Sequence, residues 1–345
     1  MRAPASPGFL SAAAHLWGRG RWHFCRRFAA PPQLPCVVVW TQVCCAPHRL
    51  MTSNPSPVSS LLGRISRRSL ALGLPLALSA AASGCQKSSA ISAARAKENL
   101  SLLTAAIKED LAEVRRGLPR GAELLQDYFG AGKFEDATQA RDVLDRTRNK
   151  VQDLRVAKAT FFALVDPQGI VLRTDQGPDL MAGKSLFAGF PELRGALAAG
   201  YVETRGELPE ASRVRGRSDG QWLAASPVKV GGALKGIYAA GWSWSAYAYR
   251  LENHLRSSVR AALKEREHEP LVYVYVMVEK QLFYAPVSPE VIARTLGEQN
   301  LAAKAQGKQP LVLELDITGR EFGVAFVRVE ELGKGVGIAV LRSET

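Results

Sequence analysis

None of the 32 Asp and Glu residues in this chain precedes Cys85, whereas the other four cysteines, Cys25, Cys36, Cys44 and Cys45, all do. That position divides a processed or untranslated segment from the part that folds. The full sequence carries 45 basic and 32 acidic residues, net +13. Nine of the basic residues lie before Cys85, which leaves 36 against 32 in the rest, net +4. The apparent basicity therefore belongs to the leader, and composition gives no ground for a nucleic-acid partner.

Residues 70–82 form a short apolar run, preceded by Arg64, Arg67 and Arg68 and closed by Ala82, Ser83 and Gly84. The run is shorter than the roughly 20 residues that a helix needs to span a bilayer. A charged start, a short apolar core and a small-residue exit make a secretory signal. With Cys85 directly after the small residues, the segment resembles a bacterial lipoprotein signal, in which that cysteine is acylated and becomes the mature N-terminus. Ala82 stands where such signals usually carry Leu. Ser66-Arg67-Arg68-Ser69-Leu70 resembles a twin-arginine export motif, with Leu70 in place of the preferred Phe; the general secretion route with two ordinary basic residues is the alternative. Residues 1–50 hold arginines, prolines and four cysteines without the paired spacing of a zinc site. Met51 opens a polar stretch of ordinary length before the arginine pair, so residues 1–50 read as an extension outside the native product. The expected organisation is 1–50 extension, 51–84 signal peptide, 85–90 lipid-anchored tether, 91–245 helical lead and first domain, 246–269 linking helix, and 270–345 second, smaller domain.

From Ile91, apolar residues recur at three- and four-residue steps (Leu100, Leu103, Ile107, Leu111, Val114, Leu118), which predicts an amphipathic helix ended by Pro119 and Gly121. A second helix is expected over 135–156. Phe161-Phe162-Ala163-Leu164-Val165 reads as a strand, Asp166-Pro167-Gln168-Gly169 as a type I turn, and Ile170-Val171-Leu172 as its return. Further strands are expected near 201–204, 222–228 and 235–242, with Asp219-Gly220 as a hairpin turn, and a helix over 245–267. A shortened copy follows: strands at 271–278, 282–284, 311–315, 322–329 and 336–341, a helix over 291–299, and a turn at Thr318-Gly319. Asp219-Gly220, Lys235-Gly236 and Ile237 each lie 99 positions before Thr318-Gly319, Lys334-Gly335 and Val336. This predicts an internal duplication.

The fold class expected is therefore α+β: N-terminal helices followed by two units, each an antiparallel sheet with short helices, linked by a helix. The helix feeding residues 161–169, the Gly183-Lys184-Ser185-Leu186-Phe187 stretch and the terminal hairpins resemble the extracytoplasmic Cache family of PAS-like sensors. The resemblance is best over 135–245 and weaker over 271–343. It implies tandem PAS-like units with a ligand site on one sheet face. It also implies an extracytoplasmic sensor or small-molecule-binding lipoprotein, on the periplasmic or outer side of a bacterial membrane. A structural or protein-interaction lipoprotein without ligand is the alternative.

Chemistry-bearing patterns are sparse. His254 and His268 have no companion for zinc, no nucleophile elbow, phosphate loop or dinucleotide fingerprint occurs, and Asp175-Gln-Gly-Pro-Asp179 lacks the remaining positions of a calcium loop. The chain reads as a non-enzyme without cofactor. Its candidate ligand-binding residues are Arg173, Tyr201, Arg217, Asp219, Trp222, Tyr238 and Trp242, with Phe187 and Phe190 beside them. An arginine could pair with a carboxylate ligand; the aromatics at strand positions also suit core packing. Expected partners are the membrane through the lipid on Cys85, a small organic ligand, and a membrane protein.

Overall fold

A computed structural model describes residues 88–212, 214–216, 218–265, 268–305 and 307–344. Cys85, Arg67 and Arg68 lie outside the described residues.

Helix α1, Ser88–Leu124, runs through 37 residues, about 55 Å at 1.5 Å per residue. It passes Pro119, where the sequence predicts an end. A proline in a helix interior removes one ring-closing N–H and typically kinks or breaks the helix. Here Leu118, Gly121 and Ala122 are buried, and that packing holds the last turns. Gly121 is required by close approach, since a Cβ there would sit 2.6 Å from the Tyr238 ring. Short α2 (Gln126–Ala131) follows, then α3 (Ala137–Lys150) and α4 (Gln152–Val156). The single helix expected over 135–156 is thus two. Asp136 caps α3 by accepting from the Thr138 and Gln139 amides, and Val151 leaves helical geometry between the two.

The first unit contains β1 (Phe161–Val165), β2 (Val171–Thr174), α5 (Leu186–Gly189), α6 (Gly195–Ala199), β3 (Val202–Gly206), β4 (Gln221–Val230) and β5 (Ala233–Ser243). Helix α7, Trp244–Ala262, leads to the second unit. That unit holds β6 (Leu271–Val278), β7 (Gln281–Tyr284), α8 (Glu290–Gly297), α9 (Leu301–Lys304), β8 (Leu311–Ile317), β9 (Arg320–Arg328) and β10 (Val336–Ser343). The strand orders are β2-β1-β5-β4-β3 and β7-β6-β10-β9-β8, all antiparallel. The architecture is α+β, with two PAS/Cache-like sheets, each carrying short helices.

Pairing registers refine the repeat. Val165 faces Ile237 in the first sheet and Val278 faces Val336 in the second, so β5 and β10 correspond at the 99-residue offset. Gln221 faces Ser243 and Gly323 faces Arg342, which sets β4 and β9 at an offset of 102. Asp219-Gly220 is not a hairpin turn. β3 and β4 are joined by residues 207–220, and the Asp219 carboxylate accepts the Ser245 amide at 3.0 Å. A buried carboxylate serving a helix's first turn replaces the tight turn that Asp-Gly suggested.

Successive residues of a strand face opposite sides, so each sheet has a helix face and a loop face. α1 covers the helix face of both. Its stripe of Leu100, Leu103, Ile107, Leu111, Val114 and Leu118 joins Trp222, Tyr238 and Trp242 of the first sheet with Val327, Ile338 and Val340 of the second in one core. The loop faces form two separate cores. The first turns of α1 press on β9, where a Cβ on Gly323 would lie 2.0 Å from the Ala93 amide nitrogen. Gly323→Ala is expected to cost about 2 kcal/mol or more through overpacking against backbone, read as a lower urea midpoint at unchanged slope.

Candidate functional site

The loop face of the first sheet is built on small residues. Ala163, Ala225 and Ala239 lie beside Phe161, Leu223 and Ile237, under a cover that includes Met181, Leu186, Phe187, Phe190 and Leu208. Phe187 and Phe190 are buried in this packing, with the Arg194 guanidinium 5.3 Å from the Phe187 ring centre. One cleft of about 80 Å³ remains at the edge, walled by Phe161, Gln176, Gly177, Pro178, Leu180, Met181, Glu210, Ala211 and Ser212. Ligand pockets commonly run to roughly 300–1,000 Å³, so this cleft holds a few heavy atoms as it stands.

The two acids of the Asp175–Asp179 loop are spent on backbone. Asp175 accepts the Phe162 amide at 2.9 Å. Burial pushes its carboxyl up, partly offset by that amide and by Gln176. Asp179 accepts both the amide and the hydroxyl of Thr174, at 3.2 and 2.6 Å. Gln176 donates to the Thr160 carbonyl. At the other wall, Glu210 pairs with Lys184 at 3.0 Å, which holds its carboxyl below the usual range. Ser212 donates to the Val214 carbonyl at 2.9 Å.

The sequence-predicted ligand residues do not converge. Arg173 lies on β2 and Tyr201 just before β3, at opposite edges of the sheet. Four strand spacings separate those edges, about 19 Å at 4.8 Å each, so one small ligand cannot touch both. The Arg173 guanidinium donates to the Leu172 and Glu135 carbonyls at 2.8 and 2.7 Å. The Tyr201 hydroxyl donates to Glu203 at 2.8 Å. Burial, then the Glu203 charge, pushes that phenol up. Glu203 is also clasped by Arg115 at 2.6 and 2.9 Å. Arg217 lies outside the described residues. Trp222, Tyr238 and Trp242 are buried on the helix face, across the sheet from the cleft. Within the predicted set, Trp222 and Trp242 stack at 4.2 Å, in the core that also holds Tyr238.

That stack leads to a polar centre that the sequence reading passed over. Trp242 stacks on Tyr247 of α7 at 4.5 Å, and the Tyr247 hydroxyl donates to Asp110 Oδ2 at 3.0 Å. Lys158 Nζ lies 3.7 Å from Asp110 Oδ1. Asp110 is 6% exposed; burial raises its pKa, with Tyr247 and then Lys158 opposing. Glu113, one turn on, is also raised, chiefly by burial and next by Asp110. The signal was present: Asp110 stands at a core position between Ile107 and Val114 of the α1 stripe.

Larger, more open grooves lie elsewhere on the surface. A groove of about 480 Å³ between α1 and the second unit is lined by Thr104, Lys108, Arg328 and Glu331 among others. Lys108 pairs with Glu331 at 3.4 Å, and Arg328 donates to the Ala302 carbonyl at 2.5 Å. Among the described residues, no group of three or more His, Cys, Asp or Glu is placed to hold a metal, and no helix is long and apolar enough to cross a membrane. His254 and His268 are both exposed.

No protein-family model matches this sequence, and no curated protein matches it. Similar solved structures include an extracellular ligand binding receptor from Desulfohalobium retbaense DSM5692, at 12% identity and TM-score 0.41, covering 72% of this chain and 40% of that one. The sensor domain of the V. cholerae histidine kinase DctB is 15% identical at TM-score 0.41, over 73% of this chain and 96% of that one. The ligand binding domain of the Pseudomonas aeruginosa PAO1 amino acid chemoreceptor PctC, in complex with GABA, is 18% identical at TM-score 0.40, over 72% and 99%.

Tyr247→Phe removes the neutral donor that Asp110 relies on and is expected to cost about 1–3 kcal/mol at pH 7. Because the folded-state pKa of Asp110 is raised, ionising it costs the folded protein stability; that cost is absent below the unfolded pKa and sets in as pH rises toward the folded one. The Tyr247→Phe penalty should therefore shrink as pH falls from 7 toward about 4. Urea titrations of both proteins across that range check it; a penalty constant with pH would contradict the pairing.

Proposed function

We propose that residues 85–345 form an exported, lipid-anchored sensor or binding protein of the Cache-like type, which takes a small polar organic molecule at the loop face of the first sheet. The cleft lined by Phe161, Met181, Gln176, Glu210 and Ser212 carries this reading. It joins an apolar floor to polar groups on two loops, the combination that orients a small ligand. Entry of a molecule larger than a few atoms requires residues 176–181 and 210–212 to part. Trp222, Tyr238 and Trp242 are assigned to structure because they lie across the sheet from the cleft, and Arg173 and Tyr201 because their polar ends are bonded to the Leu172 and Glu135 carbonyls and to Glu203.

Cys85, after the apolar run and the arginine pair, is the lipid site in this reading. Arg67 and Arg68 belong to the export signal, residues 51–84 to the signal peptide, and Met51 is the initiator. The compartment is the periplasm or cell exterior, and a membrane protein receives the output. The mature body performs no catalysis and needs no cofactor in this account.

The smallness of the cleft favours a second reading, an interaction lipoprotein whose loop face is simply packed shut. Thermal melting of a Cys85→Ser form against amino acids and small organic acids separates the two. A ligand at 100 times its Kd adds about 2.7 kcal/mol, a rise of roughly 5–10 °C for a body of this size, and Gln176→Ala should abolish it. A flat response across the library favours the closed interaction module. Cys85→Ser should also move the protein from the membrane to the soluble fraction; retention at the membrane would remove the lipid-anchor reading.

A further inference from the structure

The anchor proposed at Cys85 stands only three peptide steps before the first residue of α1, Ser88. Three residues reach at most about 10 Å. The start of α1 is itself fixed to the second sheet. The Ser89 amide donates to Glu321 Oε2 at 3.1 Å, the Glu344 amide donates to Ser92 Oγ at 3.1 Å, and Arg95 pairs with Glu344 at 3.3 Å. Gly323 lies directly under the Ala93 backbone. One rim of the second unit therefore gathers the start of α1, the turn at Thr318-Gly319 where β8 passes to β9, the end of β10 and the start of β6 paired with it.

From this we infer that the second unit rests on the lipid headgroups by that rim, and that the protein stands upright from the membrane. The inference rests on the lipid-anchor reading of Cys85. With so short a tether, no slack remains for the body to tumble away from the surface. Thr318, Gly319, Arg320 and Glu321 are exposed at the rim and would meet the interfacial layer. α1 then rises along β9 to Lys108 and Glu331 at the far end of the second sheet, and on to Arg115 and Glu203 in the first unit. Twenty-seven helical steps lead from Ser88 to Arg115, so the Glu203 edge of the first unit lies about 40 Å along α1 from Ser88. A partner reading the second unit must sit in or on the same membrane. The rim carries both signs of charge, Arg320 and Arg95 with Glu321 and Glu344, which suits a zwitterionic surface rather than selective capture by anionic lipid.

Cys85 is the sole cysteine from that position onward, and acylation would block it, so single-cysteine labelling is direct. The lipidated protein would carry a fluorophore at Arg320→Cys on the rim, or at Lys229→Cys beside the β4–β5 turn of the first unit. Each is placed in phosphatidylcholine vesicles bearing a headgroup nitroxide. The expected result is quenching at Arg320→Cys several-fold above that at Lys229→Cys. Inserting ten Gly/Ser residues between Cys85 and Ser88 should erase the difference while leaving the protein bound. Equal quenching at the two sites of the bound, lipidated protein would overturn the upright arrangement and leave the lipid anchor standing. A purified protein with no acyl mass on Cys85 would overturn both together.

Discussion

Everything in this fold depends on the apolar stripe of one helix. α1 packs along the helix faces of both sheets, in one shared core. Neither sheet could hide that face by itself, since five twisted strands with one side open need a cover. Because a single rigid helix supplies both covers, the two units share a core and are fixed in register with one another. The linking helix α7 adds its own buried residues, Tyr247, Leu251 and Leu255, to the same core. Proline at position 119 is carried inside α1 because the stripe continues past it: ending the helix there would expose Leu118 and Ala122 and uncover Tyr238.

The division into helix face and loop face decides where recognition can occur. The large aromatics of the first sheet, Trp222, Tyr238 and Trp242, are spent on the shared core. On the other side the sheet centre is alanine, with bulk supplied by residues 181–208. Small residues there lie under a cover of loops and short helices, apart from the core that α1 shares between the sheets. The polar groups of the cleft are already bonded within the protein, Gln176 to the Thr160 carbonyl just before β1 and Ser212 to Val214 of its own loop.

Much of this was legible in the sequence. The alternation and turn chemistry of residues 161–172 and 271–284 marked hairpins that the structure contains, and the Lys-Gly spacing found the correspondence of β5 with β10. What was misread has local causes. Asp219-Gly220 has the composition of a tight turn, yet a buried helix start drew the carboxylate away from it. Pro119 has the composition of a stop, yet tertiary burial outweighed it. The candidate ligand residues failed to converge because a sequence gives the alternation of a strand but not which side the covering helix takes. Trp222 and Trp242 could be assigned to one face together, but that face became core only when α1 was laid on it. Arg173 and Tyr201 were grouped by position along the chain, and the strand order then set them at opposite edges.

Asp110 shows why a costly residue can persist in such a stripe. An ionised carboxylate among leucines pays a desolvation penalty that a leucine would not. Its return is positional. Only one placement of α1 brings Asp110 Oδ2 within 3.0 Å of the Tyr247 hydroxyl, and Tyr247 is held by its stack on Trp242. The apolar stripe alone does not set this placement, since its residues recur every three or four positions and tolerate displacement by a helical turn. Sliding α1 by one turn, about 5.4 Å, would leave leucine contacts broadly intact but strand the carboxylate without its donor. The penalty therefore falls on the shifted state more than on the native one. That difference fixes how the helix common to both sheets is seated, and with it the position of the first unit relative to the second.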